Sequence, residues 1–252
     1  MKRAVLAVLL AACSASSEDF PARPGGVGGV VGGGGGGGDA GIGDGGDGDA
    51  GVLIAAQICV ITDLRKLTTC AAKAGAPTVS VTLGTRIPTA PPTDGGDFTI
   101  FAQLGTDLVW RATGNNFVTT VMPFGTEHVI PIVSDAVYTD LLMTNSIPTL
   151  HDGQGSVVAR VVSGVAAAPG VTATTTLVSD SRDLVPLYDD TTSATDWRST
   201  GPTQAAGVVW FPGVNVATTG TITFVRPDTT KLAPVGVTVE DQAITFVTQD
   251  VQ

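Results

Sequence analysis

From Val52 onward the chain alternates apolar and polar positions in short runs. TVSVTL (78–83), DFTIF (97–101), GVVWF (207–211) and GTITFV (220–225) are each bounded by turn residues. Alternation with period two, rich in β-branched residues, predicts strands that pack face to face. One stretch keeps the helical period instead. Ser134 is placed to cap it, Val137, Tyr138, Leu141 and Leu142 fall on one face, and Asn145 ends it. The expected fold is all-β with a single short helix.

The strand pattern repeats. GAPTVSVTL (75–83) echoes AAPGVTATTTL (167–177), IAAQICVI (54–61) echoes SVVARVV (156–162), and GGDFTIFAQLGTDLVWRATG (95–114) echoes AGVVWFPGVNVATTGTITFV (206–225). Self-similarity over three consecutive elements predicts two copies of one unit. The expectation is therefore two tandem small Greek-key β-sandwiches, residues 52–125 and 155–252, joined by a linker, 126–154, that carries the helix. The tryptophans Trp110 and Trp210 lie in apolar strands and are expected to fill one core each.

Residues 25–51 cannot join either unit. They hold 17 of the 33 glycines and almost no side chain able to build a core, so the segment reads as a flexible tether. A glycine-rich coil from Ser14 to Gly51 has a typical end-to-end distance of about 30–35 Å. Asp39, Asp44, Asp47 and Asp49 solvate it; Gly51 and Ile58 stand where an EF-hand that began at Asp47 would need its fifth and twelfth ligands.

Ahead of the tether, Lys2 and Arg3 precede the apolar run Ala4 to Leu10, and Ala11 and Ala12 follow. The run is far shorter than the roughly 20 residues that span a bilayer, and its layout is that of a secretory signal, residues 1–12. Leu10-Ala11-Ala12-Cys13 resembles the lipobox of bacterial lipoproteins, which implies that the Cys13 thiol takes the lipid, palmitate among its acyl chains, and becomes the first mature residue. Ser14 is not the aspartate of the enterobacterial retention rule, which favours the outer membrane, on its periplasmic face or the cell surface. The expected membrane partner is reached through Cys13.

Without Lys2 and Arg3 the formal charge moves from -10 to -12. So acidic a chain repels phosphate backbones, which excludes nucleic acid as a natural partner. Cys59 and Cys70 are the cysteines left after Cys13, and an even pair in an exported chain suggests a disulfide, the rival reading being two free thiols, one buried and one exposed. Nearly all the residues that lengthen the first copy lie between them. The second copy instead carries its insertion at 178–203, and polar loops at sandwich ends are where binding residues most often sit. There Trp197 stands among Tyr188, Asp189, Asp190 and Asp196. It can stack on a ligand or fold back over the sandwich end.

The turns Gly75-Ala76-Pro77 and Ala168-Pro169-Gly170, the turn Asp94-Gly95 before Phe98-Thr99-Ile100, and a late Gly-x-Ile/Val-Thr strand together resemble carboxypeptidase regulatory-like domains. These belong with the transthyretin-like and pilin B-type sandwiches, and tandem arrangements of this kind are similar to surface lipoproteins of myxobacteria. The resemblance implies seven-stranded Greek-key, Ig-like sandwiches with a structural or binding role and no catalytic residues. The Lys–Asn isopeptide bond of some pilin-type relatives does not carry over, since the first strands hold Gln57, Ile58 and Cys59, and Ala159, Arg160 and Val161.

Catalytic chemistry finds little support. His128 and His151 both fall in the linker near Ser134, Asp135 and Asp152, but no G-x-S-x-G presents a nucleophile and no H-E-x-x-H or C-x-x-C spacing holds a metal. The expectation is a non-enzyme without cofactor or metal. It is a membrane-anchored envelope lipoprotein that acts as a structural or protein-interaction module. The competing expectation is a module that recognises polysaccharide or a cation through the acidic aromatic loop 187–198.

Overall fold

The computed structural model describes residues 51–71, 79–88, 92–93, 96–102, 108–125, 127–180, 183–190, 196–216 and 220–252. The signal, Cys13 and the tether lie outside the described residues, as do the turns 75–77 and 94–95. No described helix is long and apolar enough to cross a membrane.

The alternating runs form strands. In the first half these are β1 (Val52–Val60), β2 (Val79–Leu83), β3 (Asp97–Ala102), β4 (Val109–Gly114), β5 (Phe117–Pro123) and β6 (Val129–Ile132), followed by α1 (Asp135–Thr144). The second half continues with β7 (Gln154–Ser163), β8 (Ala166–Ala167), β9 (Thr172–Thr175), β10 (Leu187–Asp189), β11 (Trp197–Arg198), β12 (Val208–Asn215), β13 (Gly220–Val225), β14 (Val235–Val237) and β15 (Ala243–Asp250). Among the described residues the protein is all-β with one short helix, and its sheets stack as β-sandwiches.

Both halves follow one pairing scheme. β1 pairs antiparallel with β3 and parallel with β6, while β4 pairs antiparallel with β2 and β5. In the same way β7 pairs antiparallel with β12 and parallel with β15, while β13 pairs antiparallel with β9 and β14. Two glycines mark the equivalence. Gly96 and Gly207 both have positive φ, and each accepts a backbone N–H, from Ile58 at 2.9 Å and from Val161 at 2.7 Å. A Cβ at Gly96 would collide with the Ile58 carbonyl, and one at Gly207 would stand 2.6 Å from the Val161 oxygen. Only glycine fits either position.

Ile58 and Val161 are thus structural equivalents, one residue away from the alignment that the echo of IAAQICVI and SVVARVV suggests. The cause lies in β7. Its residues are buried on both faces, so it lacks the polar alternation that would set the phase of the strand.

The halves are not joined by a linker alone. β15 pairs in parallel with β5 as well as with β7, which carries one sheet through the molecule in the order β11-β10-β12-β7-β15-β5-β4-β2. Within 126–154, the segment expected to be linker, β6 is a strand of the first sandwich. Isolated strands must bury an apolar face and satisfy their backbone, and Ile130 and Ile132 do both against β1.

Each side of the shared sheet serves a different core. Val157, Ala159, Val161, Val209 and Phe211 pack with Ile222 and Phe224 in one cluster. Val158, Val208, Trp210, Ile244 and Phe246 point the other way and join the cluster of Ile54, Ile100, Trp110 and Ile130. Trp210 therefore does not fill the second core. It shares the first cluster with Trp110, because the alternation along β12 sends its indole to the side covered by α1. That helix is capped as its sequence dictates: the Ser134 hydroxyl accepts the Val137 N–H, and Tyr138 and Leu142 are buried. Tyr138 packs edge-on to Trp210 with ring centroids 6.3 Å apart, and its hydroxyl bonds the Ser156 hydroxyl of β7. Burial pushes the Tyr138 phenol far above its ordinary value, against hydrogen bonds that pull it down.

Candidate functional site

The two insertions that distinguish the halves meet. Within the first, Cys59 and Cys70 form a disulfide, with Cα atoms 4.9 Å apart. It closes the segment carrying Asp63 and Arg65. The Arg65 guanidinium is held in a fork: Nε donates to Asp63 Oδ1 at 2.8 Å and Nη2 to Oδ2 at 3.0 Å. Burial raises the Asp63 carboxyl, but the hydrogen bonds and charge of Arg65 outweigh it and hold the group below the usual carboxylate range. The same guanidinium reaches the second insertion. Nη1 donates to the Asp190 carbonyl at 3.2 Å, and the guanidinium carbon lies over the Trp197 ring, 6.0 Å from its centroid.

The second insertion is less of a loop than its polarity suggests. β10 pairs with β12, and β11 pairs with β10, setting Tyr188 opposite Arg198 and Asp189 opposite Trp197. Trp197 is only 8% exposed. Its ring packs on Trp210 with centroids 5.3 Å apart, and its backbone N–H donates to Asn145 Oδ1, at the end of α1, at 3.1 Å. The fold-back alternative describes this residue.

Tyr188 and Asp189 are likewise internal. The Tyr188 hydroxyl accepts the Ala173 N–H at 3.0 Å and donates to the Ala173 carbonyl at 3.3 Å, and burial pushes the phenol up. Asp189, 1% exposed, accepts three backbone N–H groups: Gln204 at 2.8 Å, Ala206 at 2.8 Å and Val208 at 3.3 Å. A carboxylate so surrounded organises the 203–208 turn and has no face left for a ligand. Asp196 is exposed and Asp190 half-buried. The five residues expected to form one binding loop are divided, three of them building the body.

The linker histidines do not assemble a site. His128 is half-buried, stacks on Phe124 with centroids 5.7 Å apart, and makes a 3.1 Å hydrogen bond through Nδ1 with the Ala55 carbonyl. His151 is exposed and lies by Gln154, while the Ser134 hydroxyl is occupied as the helix cap. Among the described residues no three His, Cys, Asp or Glu side chains stand close enough to hold a metal ion.

One cleft, of about 610 Å³, lies against the β3-β1-β6 sheet and is lined by Ala55, Gln57, Thr99, His128 and Val129. Another, of about 460 Å³, runs past Asn145, Ser146, Asp183, Leu187, Trp197 and Ser199, and a third, of about 640 Å³, lies by His151, Asp152 and Asn215.

The feature that sequence reasoning missed is Arg65. Its signal was present in Asp63-x-Arg65, a spacing that lets a carboxylate grip a guanidinium within one turn, enclosed by the cysteine pair.

No protein-family model matches the chain, and no curated protein matches it. Among solved structures it is similar to GBS52, the minor pilin of the gram-positive pathogen Streptococcus agalactiae. That likeness covers 78% of this chain and 94% of the pilin, at 13% identity and a TM-score of 0.24.

Proposed function

We propose that this protein is a lipid-anchored envelope module whose tandem body makes protein contacts and performs no catalysis. The observation that carries the reading is that the side chains best suited to grip a ligand, Trp197, Tyr188 and Asp189, are committed to internal contacts. What they support is a stiff body. The shared sheet, the Arg65 clamp and the ion pairs Arg111–Glu240 at 2.6 Å and Arg160–Glu127 at 2.7 Å all tie one half to the other. A stiff body on a glycine-rich leash suits a spacer or docking platform in the envelope. The lipobox-like Leu10-Ala11-Ala12-Cys13 supplies the anchor, and the repeat turns keep the likeness to carboxypeptidase regulatory-like sandwiches.

A second reading, recognition of polysaccharide or a cation, retains the cleft beside Trp197 and the exposed Asp196. One measurement tests the anchor and a second separates the two readings. Labelled palmitate is expected to enter the wild-type protein and not Cys13→Ala, which is expected in the soluble fraction. Titration with envelope polysaccharides and with calcium is expected to leave tryptophan emission unchanged. A saturable change that Trp197→Ala abolishes overturns the scaffold reading.

A further inference from the structure

Three large apolar side chains stand in water where the chain enters the fold. Val52 is 44% exposed, Leu53 63% and Phe101 51%. Leu53 of β1 and Phe101 of β3 are register partners and share the outward face, while Val52, opposite the buried Ala102, lies at the strand end on the other face. The Phe101 ring also lies against Gly51, so closely that a Cβ there would collide with it.

Along the described residues of β1 and β3 the outward face beside the pair lacks charge. Outward positions next to the pair are Ala55 and Thr99, themselves register partners. The first charged outward position is Asp97, opposite Gln57, four residues further along the strand and about 13 Å away. Residues 52–252 as a whole carry 17 acidic and 10 basic side chains. Anionic headgroups repel such a body, so an uncharged apolar end is the part able to approach lipid.

We infer that the Leu53–Phe101 end is a lipid-facing surface that seats the sandwich body on the bilayer to which Cys13 is anchored. The occupant follows from where the chain outside the described residues ends: residue 50 leads directly into Gly51, beneath the Phe101 ring. Two side chains bind lipid weakly from free solution, but a tether of this length keeps them at a high effective concentration beside the membrane. The body then alternates between a seated state and one held away by the leash. Seating rests on the Cys13 anchor proposed above.

The test uses full-length lipidated protein, purified in detergent and reconstituted into phosphatidylcholine vesicles with or without brominated acyl chains. Phe101→Trp and Leu53→Trp each add an indole at the patch. Val165→Trp adds one at the β7–β8 turn, where Val165 is fully in water. Interfacial side chains sit about 5–10 Å deep, so about half of the added emission in the two patch variants is expected to be lost to bromine, and none in the turn variant. Added emission that is water-like and unquenched overturns the inference. So does emission that is blue-shifted but unquenched, which reports cover by the tether or a second copy. Equal quenching at position 165 overturns the orientation. Intact mass separates the two proposals: acylated protein with an unquenched patch rejects seating alone, whereas protein without acyl mass that stays off the vesicles rejects the anchor and seating together.

Discussion

Arg65, in the disulfide-closed insertion of the first half, lies over the indole of Trp197, in the insertion of the second, with 6.0 Å between guanidinium carbon and ring centroid. Each half thus contributes one member of a contact that neither could make alone. The guanidinium is pre-aimed by its fork to Asp63, so little side-chain freedom is lost when the halves meet.

Removing Arg65 strands both ends of that contact. Arg65→Ala is expected to destabilise the protein by about 2 kcal/mol, since it deletes hydrogen bonds of a charged group whose side chain is nearly covered. Urea denaturation measures the loss, and a red shift of tryptophan emission reports the release of Trp197. Arg65→Lys should recover only part, because an ammonium cannot form the fork.

Trp197→Ala opens a cavity between Trp210 and α1. The expected cost is about 3–5 kcal/mol, read by thermal or urea unfolding. A mild effect would mean that the indole is dispensable for packing.

Asp189→Asn tests the turn. The amide keeps the shape but offers one acceptor oxygen where three backbone donors converge, so a loss of about 1.5–3 kcal/mol is expected, with faster exchange of the Gln204, Ala206 and Val208 amides.

Acid should unlock the clamp. The Asp63 carboxyl is held below its ordinary value of 3.8, so it binds protons less readily folded than unfolded. Its contribution is present above pH 3.8 and is lost as pH falls through the lower folded value. The stability difference between wild type and Asp63→Asn, followed by urea unfolding from pH 6 downward, is expected to shrink in that window and nowhere above it.

Cys70→Ser frees the segment that carries Arg65. Opening an 11-residue separation is expected to cost about 3 kcal/mol by chain entropy, and the loss should be smaller in an Arg65→Ala background. A double-mutant cycle by urea denaturation gives the coupling.

Much of this protein is local. Strands, helix and disulfide are legible because alternation, a capping serine and an even cysteine pair act over a few residues. Ser134 and Tyr138 do in the fold what their spacing predicts. The candidate site was harder to read. Trp197, Tyr188 and Asp189 sit in a polar stretch that resembles a binding loop, and polarity along the chain does not distinguish a carboxylate facing water from one collecting three backbone N–H groups. The phase of β7 was hidden for a related reason: a strand covered on both faces has no alternation to read.

By itself, then, the sequence determined the all-β class, the repeat of one strand pattern, the helix and its caps and the cysteine pair, all set by composition and near-neighbour spacing. Tertiary structure alone decided that β5 and β15 merge the halves into one sheet, that Trp210 turns to the first cluster, and that Arg65 meets Trp197 across 132 positions of chain. Those relationships depend on which buried faces close on one another. That is settled by packing over the whole body and leaves no signature in any short stretch of residues.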